Sequence, residues 1–419
     1  MTKASNIHHS AALIGFGRLT TDAITGLTDV VEAVHRQIAF SSRDAASPWA
    51  QSSAGLTALV YGSIRGVTGL VDRGLAELAP LASPVDERPL SPAHEAVIAT
   101  LNGVVGDYLA RTLNPLAISM SLRRHGQPLE IERHALQATI PQVTGRVLLL
   151  AHGLCLNDLQ WKRKGHDYGE ALGGEFGYTP VYLHYNSGLH VSENGRLLAD
   201  LLETLFHQWP VPVEELAIIG HSMGGLVSRS AYYYGEEAVH DWPRHLERLL
   251  FLGTPHHGAP LERIGNWVNT TLEVSPYSVP FARLAKIRSA GITDMRYGNL
   301  LDDDWEGRDR FARAGDLRVP QPLPPGVQSY AIAATTKRHA KGSPRLDLFG
   351  DGLVPVNSAL GRHRTPGMSL QFSESRQWIG YGMNHWDLLS HPAIYEQIRR
   401  WFGLQSSKLV AGESRANRN

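Results

Sequence analysis

Apolar residues change their spacing partway along the chain. In residues 20–38, Ile24, Leu27, Val30, Val31, Val34 and Ile38 recur every three or four positions. Residues 56–78 repeat this with Val60, Ile64, Val67, Val71 and Leu75. That period predicts two amphipathic helices, each with one face to bury. The second also holds Gly62, Gly66, Gly69 and Gly74, which weaken an isolated helix by about 1 kcal/mol each relative to alanine. Such glycines suit close helix–helix packing, and a membrane-surface helix is the competing reading. Residues 80–92, rich in proline and charge, read as a linker. A third helix is predicted over 93–113, on Val97, Leu101, Val104, Val105 and Leu109.

From about residue 129 the helical period gives way to short apolar runs separated by amphipathic stretches. Strands are predicted at 146–151, 180–184, 217–219, 249–252 and 330–334, with an edge strand at 136–140. Helices are predicted at 195–209, 225–232 and 392–401. Alternating strand and helix is the signature of a mostly parallel α/β sheet flanked by helices. The expected organisation is a helical accessory region over 1–120, an α/β domain over 129–403 with an insertion at about 256–329, and a disordered polar tail over 404–419.

Composition narrows the function classes. Among 419 residues, 40 basic and 40 acidic side chains cancel, so no basic field invites nucleic acid. The single cysteine, Cys155, excludes an intramolecular disulfide framework. Residues 1–10 are polar with two histidines, and no apolar core of a signal peptide follows. The expectation is a soluble cytoplasmic protein, with peripheral membrane contact and oligomeric state left open.

Candidate chemistry concentrates where the strand at 217–219 meets a helix. The joining residues are Gly220-His221-Ser222-Met223-Gly224-Gly225. A serine between glycines at a strand–helix junction is the setting of a nucleophile elbow, where backbone must crowd a strained residue. An ordinary glycine-rich turn is the alternative. Such a nucleophile is followed in the chain first by an acid and then by a histidine. His385, in Asn384-His385-Trp386-Asp387, is the candidate base; His391 competes but abuts a proline that starts a helix. Asp351, between Gly350 and Gly352 downstream of the strand at 330–334, is the candidate acid. Asp302, Asp303 and Asp304 compete on order alone and read as a solvated loop. After the strand at 146–151 comes His152-Gly153-Leu154, from which the Leu154 amide would help to hold an oxyanion, with Met223 supplying the second. His152 itself reads as a structural brace.

Taken together, the strand–His-Gly, GHSMGG, the run Gly253-Thr254-Pro255-His256-His257-Gly258, GDGLVP and NHWD fall in one order. They resemble the lipase/esterase branch of the α/β-hydrolase superfamily, in particular bacterial triacylglycerol lipases and the hydrolase domain of inositol-deacylase-like proteins. That resemblance spans roughly residues 129–403 and implies a triad of Ser222, Asp351 and His385, an ester or lipid-like substrate, and no metal or organic cofactor. It also implies that the insertion, with Ile264, Trp267, Val268 and Leu272 in residues 261–272, is a lid over an acyl pocket. Calcium near Asp387 would have only one aspartate to bind it. Acyl transfer, thioester hydrolysis, and a binding protein with a vestigial hydrolase domain are the alternatives.

Overall fold

The computed structural model describes residues 92–260, 288–310, 315–338 and 350–403. The two helices expected upstream of residue 80, the lid segment 261–272 and the tail lie outside the described residues. Eight strands form one sheet: β1 (Ser121–Arg124), β2 (Gln127–Pro128), β3 (Arg146–Ala151), β4 (Thr179–His184), β5 (Glu215–His221), β6 (Leu246–Leu252), β7 (Gln328–Thr335) and β8 (Gln377–Tyr381). Their order is β2-β1-β4-β3-β5-β6-β7-β8, with β1 antiparallel to its neighbours and the six strands from β4 to β8 parallel. The apolar runs Val147-Leu148-Leu149-Leu150 and Ala217-Ile218-Ile219 are buried on both faces, as expected of parallel strands covered by helices.

Helices occupy the connections: α1 (Pro92–Arg111), α2 (Arg133–Thr139), α3 (Tyr168–Phe176), α4 (Val191–Gln208), α5 (Met223–Glu237), the short α6 (Ala290–Asp294) and α7 (Val356–Ala359), and a last helix over 392–403. The chemistry of their ends explains their limits. The Asp167 side chain accepts from the Gly169 and Glu170 N–H groups at the start of α3, and Gly177 closes it at φ 70°. Among the described residues no helix is long and apolar enough to cross a membrane.

Three elements differ from the sequence expectation. Residues 133–139 form a helix where an edge strand was expected at 136–140. Only Leu136 of that helix is buried, and one docking side chain suits a helical turn rather than a half-buried strand. The sheet also begins before residue 129, because β1 and β2 form a hairpin turning at His125-Gly126. Both residues have positive φ, 50° and 75°, the twist a two-residue hairpin turn requires. The third is β8, a short strand that the apolar pattern did not reveal.

Helix α1, grouped by sequence with the accessory region, is built into the core of the sheet domain. Leu101, Val104 and Leu109 are buried, Gly103 lies against the Cys155 backbone and Gly106 against Asn186. The Asn102 side chain donates to the Ile98 and Leu116 carbonyls and accepts from the Ile118 N–H. Leu101→Ala should therefore cost about 2–5 kcal/mol, a core value, whereas a loosely docked accessory helix would lose well under that. Urea unfolding monitored by tryptophan fluorescence distinguishes the two.

Candidate active site

Parallel strands bring their C-terminal ends to one edge, and four segments that carry chemistry leave the sheet there. His152-Gly153 follows β3, Ser222 follows β5, Asp351 lies downstream of β7 and His385 follows β8. Ser222 has φ 54° and ψ −124°, a left-handed conformation that an L side chain adopts only when the surroundings enforce it. The glycines make that enforcement possible. A Cβ on Gly220 would strike the Gly225 backbone, and one on Gly224 would strike the Ala151 and His152 carbonyls. The Ser222 N–H donates to the Leu252 carbonyl at 2.8 Å, tying the elbow to β6. Its hydroxyl does not cap α5 and, among the described residues, makes no hydrogen bond.

Asp351 and His385 form a buried pair. His385 Nδ1 donates to Asp351 Oδ2 at 2.7 Å, and the His385 N–H donates to the Asp351 carbonyl at 3.0 Å. The other carboxylate oxygen accepts from the Leu353 and Val354 N–H groups at 3.0 and 2.8 Å. Every lone pair facing the loop is thus engaged, which fixes the carboxylate and leaves the proton on Nδ1 of the imidazole. Gly253, at φ 60°, passes against Asp351 Oδ2 and His385 Cε1, so the end of β6 adjoins both the elbow and this pair.

His221, to which the sequence reading gave no role, makes a second link between the elbow and His385. Its ring lies 4.7 Å from that of His385, centroid to centroid, and Nε2 donates to the His385 carbonyl at 3.4 Å. Burial holds its pKa well below the ordinary histidine value, so this tilted ring stays neutral beside His385.

The loop after β3 packs on the serine: a Cβ on Gly153 would meet Ser222 Cβ at 3.0 Å. Leu154 and Met223 are both buried beside it. The loop is braced from the end of β4, where Tyr185 donates to the His152 carbonyl at 2.8 Å and Ser187 Oγ accepts the Cys155 N–H at 3.0 Å. His152 stacks on Tyr185 at 4.3 Å, and Nδ1 donates to the Gly153 carbonyl at 2.9 Å. Further back, Arg123 joins Asp158 to Glu95 of α1 at 3.4 and 2.9 Å, so α1 supports this loop as well.

The competing candidates lie elsewhere. Asp302 pairs with Arg196, and Asp304 accepts from the Leu300, Leu301 and Val319 N–H groups. Asp304 is buried, so the 302–304 turn is a structural knot and not the solvated loop expected from its charge. His391 accepts the Ala393 N–H at the start of the last helix, at 3.2 Å. Cys155 is buried, and burial pushes its thiol far above the ordinary range.

Sheet order, strand-end placement and elbow define the fold of the α/β-hydrolase superfamily. Residues 182–320, roughly a third of the chain, match the family model of the PGAP1-like alpha/beta domain. That stretch contains Ser222 and the GTPHHG segment and ends before Asp351 and His385. No curated protein sequence matches the chain. Among solved structures, the mature form of the Bacillus licheniformis lipase BlEst2 is similar at 16% identity and TM-score 0.40, over 68% of this chain and 98% of that one. EstA from Clostridium botulinum is similar at 12% identity and TM-score 0.38, over 64% and 89%. The Staphylococcus hyicus lipase is similar at 14% and 0.35, over 65% and 97%.

His152 makes the site sensitive to acid. Burial pushes its pKa down to about 3 from an ordinary 6.5. The unfolded chain therefore takes up a proton near pH 6.5 that the folded chain refuses until about pH 3. Stability falls as pH drops through that window, by at most about 1.4 kcal/mol per pH unit for this side chain. Urea unfolding between pH 7 and 5 should show a shallower pH slope in His152→Asn than in the wild type.

Proposed function

We propose that the protein is a serine hydrolase acting on carboxylic esters with lipid-like acyl chains. The observation that carries the reading is the buried Asp351–His385 pair beside a serine held at positive φ on a strand–helix elbow. In this reading Ser222 Oγ attacks the ester carbonyl while His385 Nε2 takes its proton. Asp351 holds the imidazole in the tautomer whose Nε2 can accept, and stabilises the imidazolium that forms. The Leu154 and Met223 amides hold the carbonyl oxygen as it becomes negative. Removing one such donor costs about 3 kcal/mol of barrier in a well-studied protease. His385 then returns the proton to the departing alcohol, leaving an acyl group on Ser222. Water, deprotonated by the same imidazole, releases the acid. Nucleophile, base and orienting acid all come from the chain, so the steps call for no metal or cofactor.

The acyl preference rests on the resemblance of the sequence motifs to those of lipases and on the apolar residues of the insertion, such as Trp267, Val268 and Leu272. Ser222→Ala should abolish both fluorophosphonate labelling and p-nitrophenyl ester turnover while leaving the unfolding midpoint nearly unchanged. Full activity in that variant removes the assignment. Asp351→Asn should lower kcat by about 10⁴, the loss seen for the equivalent change in a protease triad. If Asp303→Asn is the crippling change instead, the acid lies in the 302–304 turn. Among p-nitrophenyl esters of increasing acyl length, kcat/KM should rise from acetate to octanoate; a maximum at acetate would reject the lipid-like substrate.

A further inference from the structure

His221 enters none of the chemical steps set out for Ser222, Asp351 and His385, yet it is completely buried beside them. It is the last residue of β5, so the strand that delivers Ser222 also fixes the His221 backbone. Its ring fills the space between two loops that leave the sheet at different strands. On one side is the loop after β3, where a Cβ on Gly153 would lie 3.1 Å from His221 Nδ1. On the other is His385, whose ring centroid is 4.7 Å away at an interplanar angle of 44°. Trp161 stands edge-on to the same ring at 6.5 Å.

The two nitrogens of this ring are used unequally. Nε2 meets the His385 carbonyl at 3.4 Å, and a carbonyl only accepts, so Nε2 carries the proton. Nδ1 is then a bare acceptor, and among the described residues it has no hydrogen-bond partner. Packing alone does not call for an imidazole here, since a phenyl ring would fill similar space without burying an unpaired acceptor. What the imidazole adds is the Nε2–H on His385. The backbone of His385 is thereby gripped twice: its N–H donates to the Asp351 carbonyl at 3.0 Å, and its carbonyl accepts from His221. The bond from Nδ1 to the Asp351 carboxylate sets how the His385 ring turns. The grip from His221 sets where that ring stands relative to the elbow, because His221 is covalently joined to Ser222. Burial, and after it the charge of His385, keep His221 neutral, so the single donor stays on Nε2.

We propose that His221 is a positioning residue for ester cleavage, its Nε2–H holding the His385 backbone so that the His385 imidazole stays in line with Ser222 Oγ. This inference rests on the serine hydrolase reading. His221 touches neither the substrate nor the proton that moves, so its loss slows the chemical step and leaves substrate binding unchanged.

The test compares the wild type with His221→Phe, which keeps a ring without a donor, and His221→Gln, whose side-chain amide restores a donor. For each, kcat and KM on a p-nitrophenyl ester, the rate of fluorophosphonate labelling and Tm are measured. We expect kcat and the labelling rate of His221→Phe to fall about fivefold to tenfold, the upper worth of one hydrogen bond, with KM unchanged. His221→Gln should return kcat to within about twofold of the wild type. If His221→Phe does not fold, the glutamine variant decides by the same criterion. Wild-type kcat in His221→Phe, a change carried by KM alone, or a His221→Gln as slow as His221→Phe at wild-type Tm overturns the proposal. A wild type that neither labels nor turns over ester rejects the serine hydrolase reading itself, and this inference with it.

Discussion

The backbone conformation of Ser222 is the constraint from which the site's architecture follows. A non-glycine residue at φ 54° persists only when its neighbours leave no alternative. Here β5 delivers the chain, the Leu252 carbonyl takes the serine N–H, and α5 begins immediately beyond. The turn is so tight that Gly220, Gly224 and Gly225 must lie against one another and against the β3 carbonyls. Side chains at the first two of those positions would push α5 off the sheet. The same close approach brings the Gly153 loop within contact of Ser222, so one strained residue sets the spacing of the serine and the loop after β3.

Burial divides the histidines of this region into two kinds. His152, His221 and His256 are enclosed among apolar or cationic neighbours, and desolvation keeps each of them neutral. They serve as fixed donors: His152 to its own loop, His221 to the His385 backbone. His385 is equally buried but has the Asp351 carboxylate at Nδ1. What sets His385 apart from these three is the presence of Asp351, not solvent access.

Support for the site reaches well beyond the residues that would touch a substrate. From α1, Glu95 connects through Arg123 to Asp158 and on to His184, behind the loop that carries Leu154. From the far side, Ser358 and Gly361 clamp the GTPHHG segment to the chain following Asp351. The loop carrying Leu154 and the loop carrying Asp351 are thus each tied to an element distant in sequence. Groups that must hold sub-ångström geometry gain from such bracing, because each hydrogen bond removes a direction of motion.

Much of this was readable in the sequence because it depends on local chemistry. Runs such as Val147-Leu148-Leu149-Leu150 can only be buried strands. Glycines around Ser222 mark a turn that other residues cannot make, and the segments carrying Ser222, Asp351 and His385 each follow a strand that ends at one edge. Weak or nonlocal signals were not readable. Residues 136–140 alternate apolar and polar, the period of a strand, yet Leu136 became a helical contact because of what lies beneath it. Helix α1 carried the pattern of any amphipathic helix, and only its fit against Cys155 and Asn186 makes it part of the core. His221 drew no role of its own, and Asp304 read as part of a solvated loop. Their roles arise from neighbours more than 160 residues away for His221, at His385, and from three converging N–H groups for Asp304. A residue's own type limits the bonds it can make, but which of them it makes is decided when distant segments pack together.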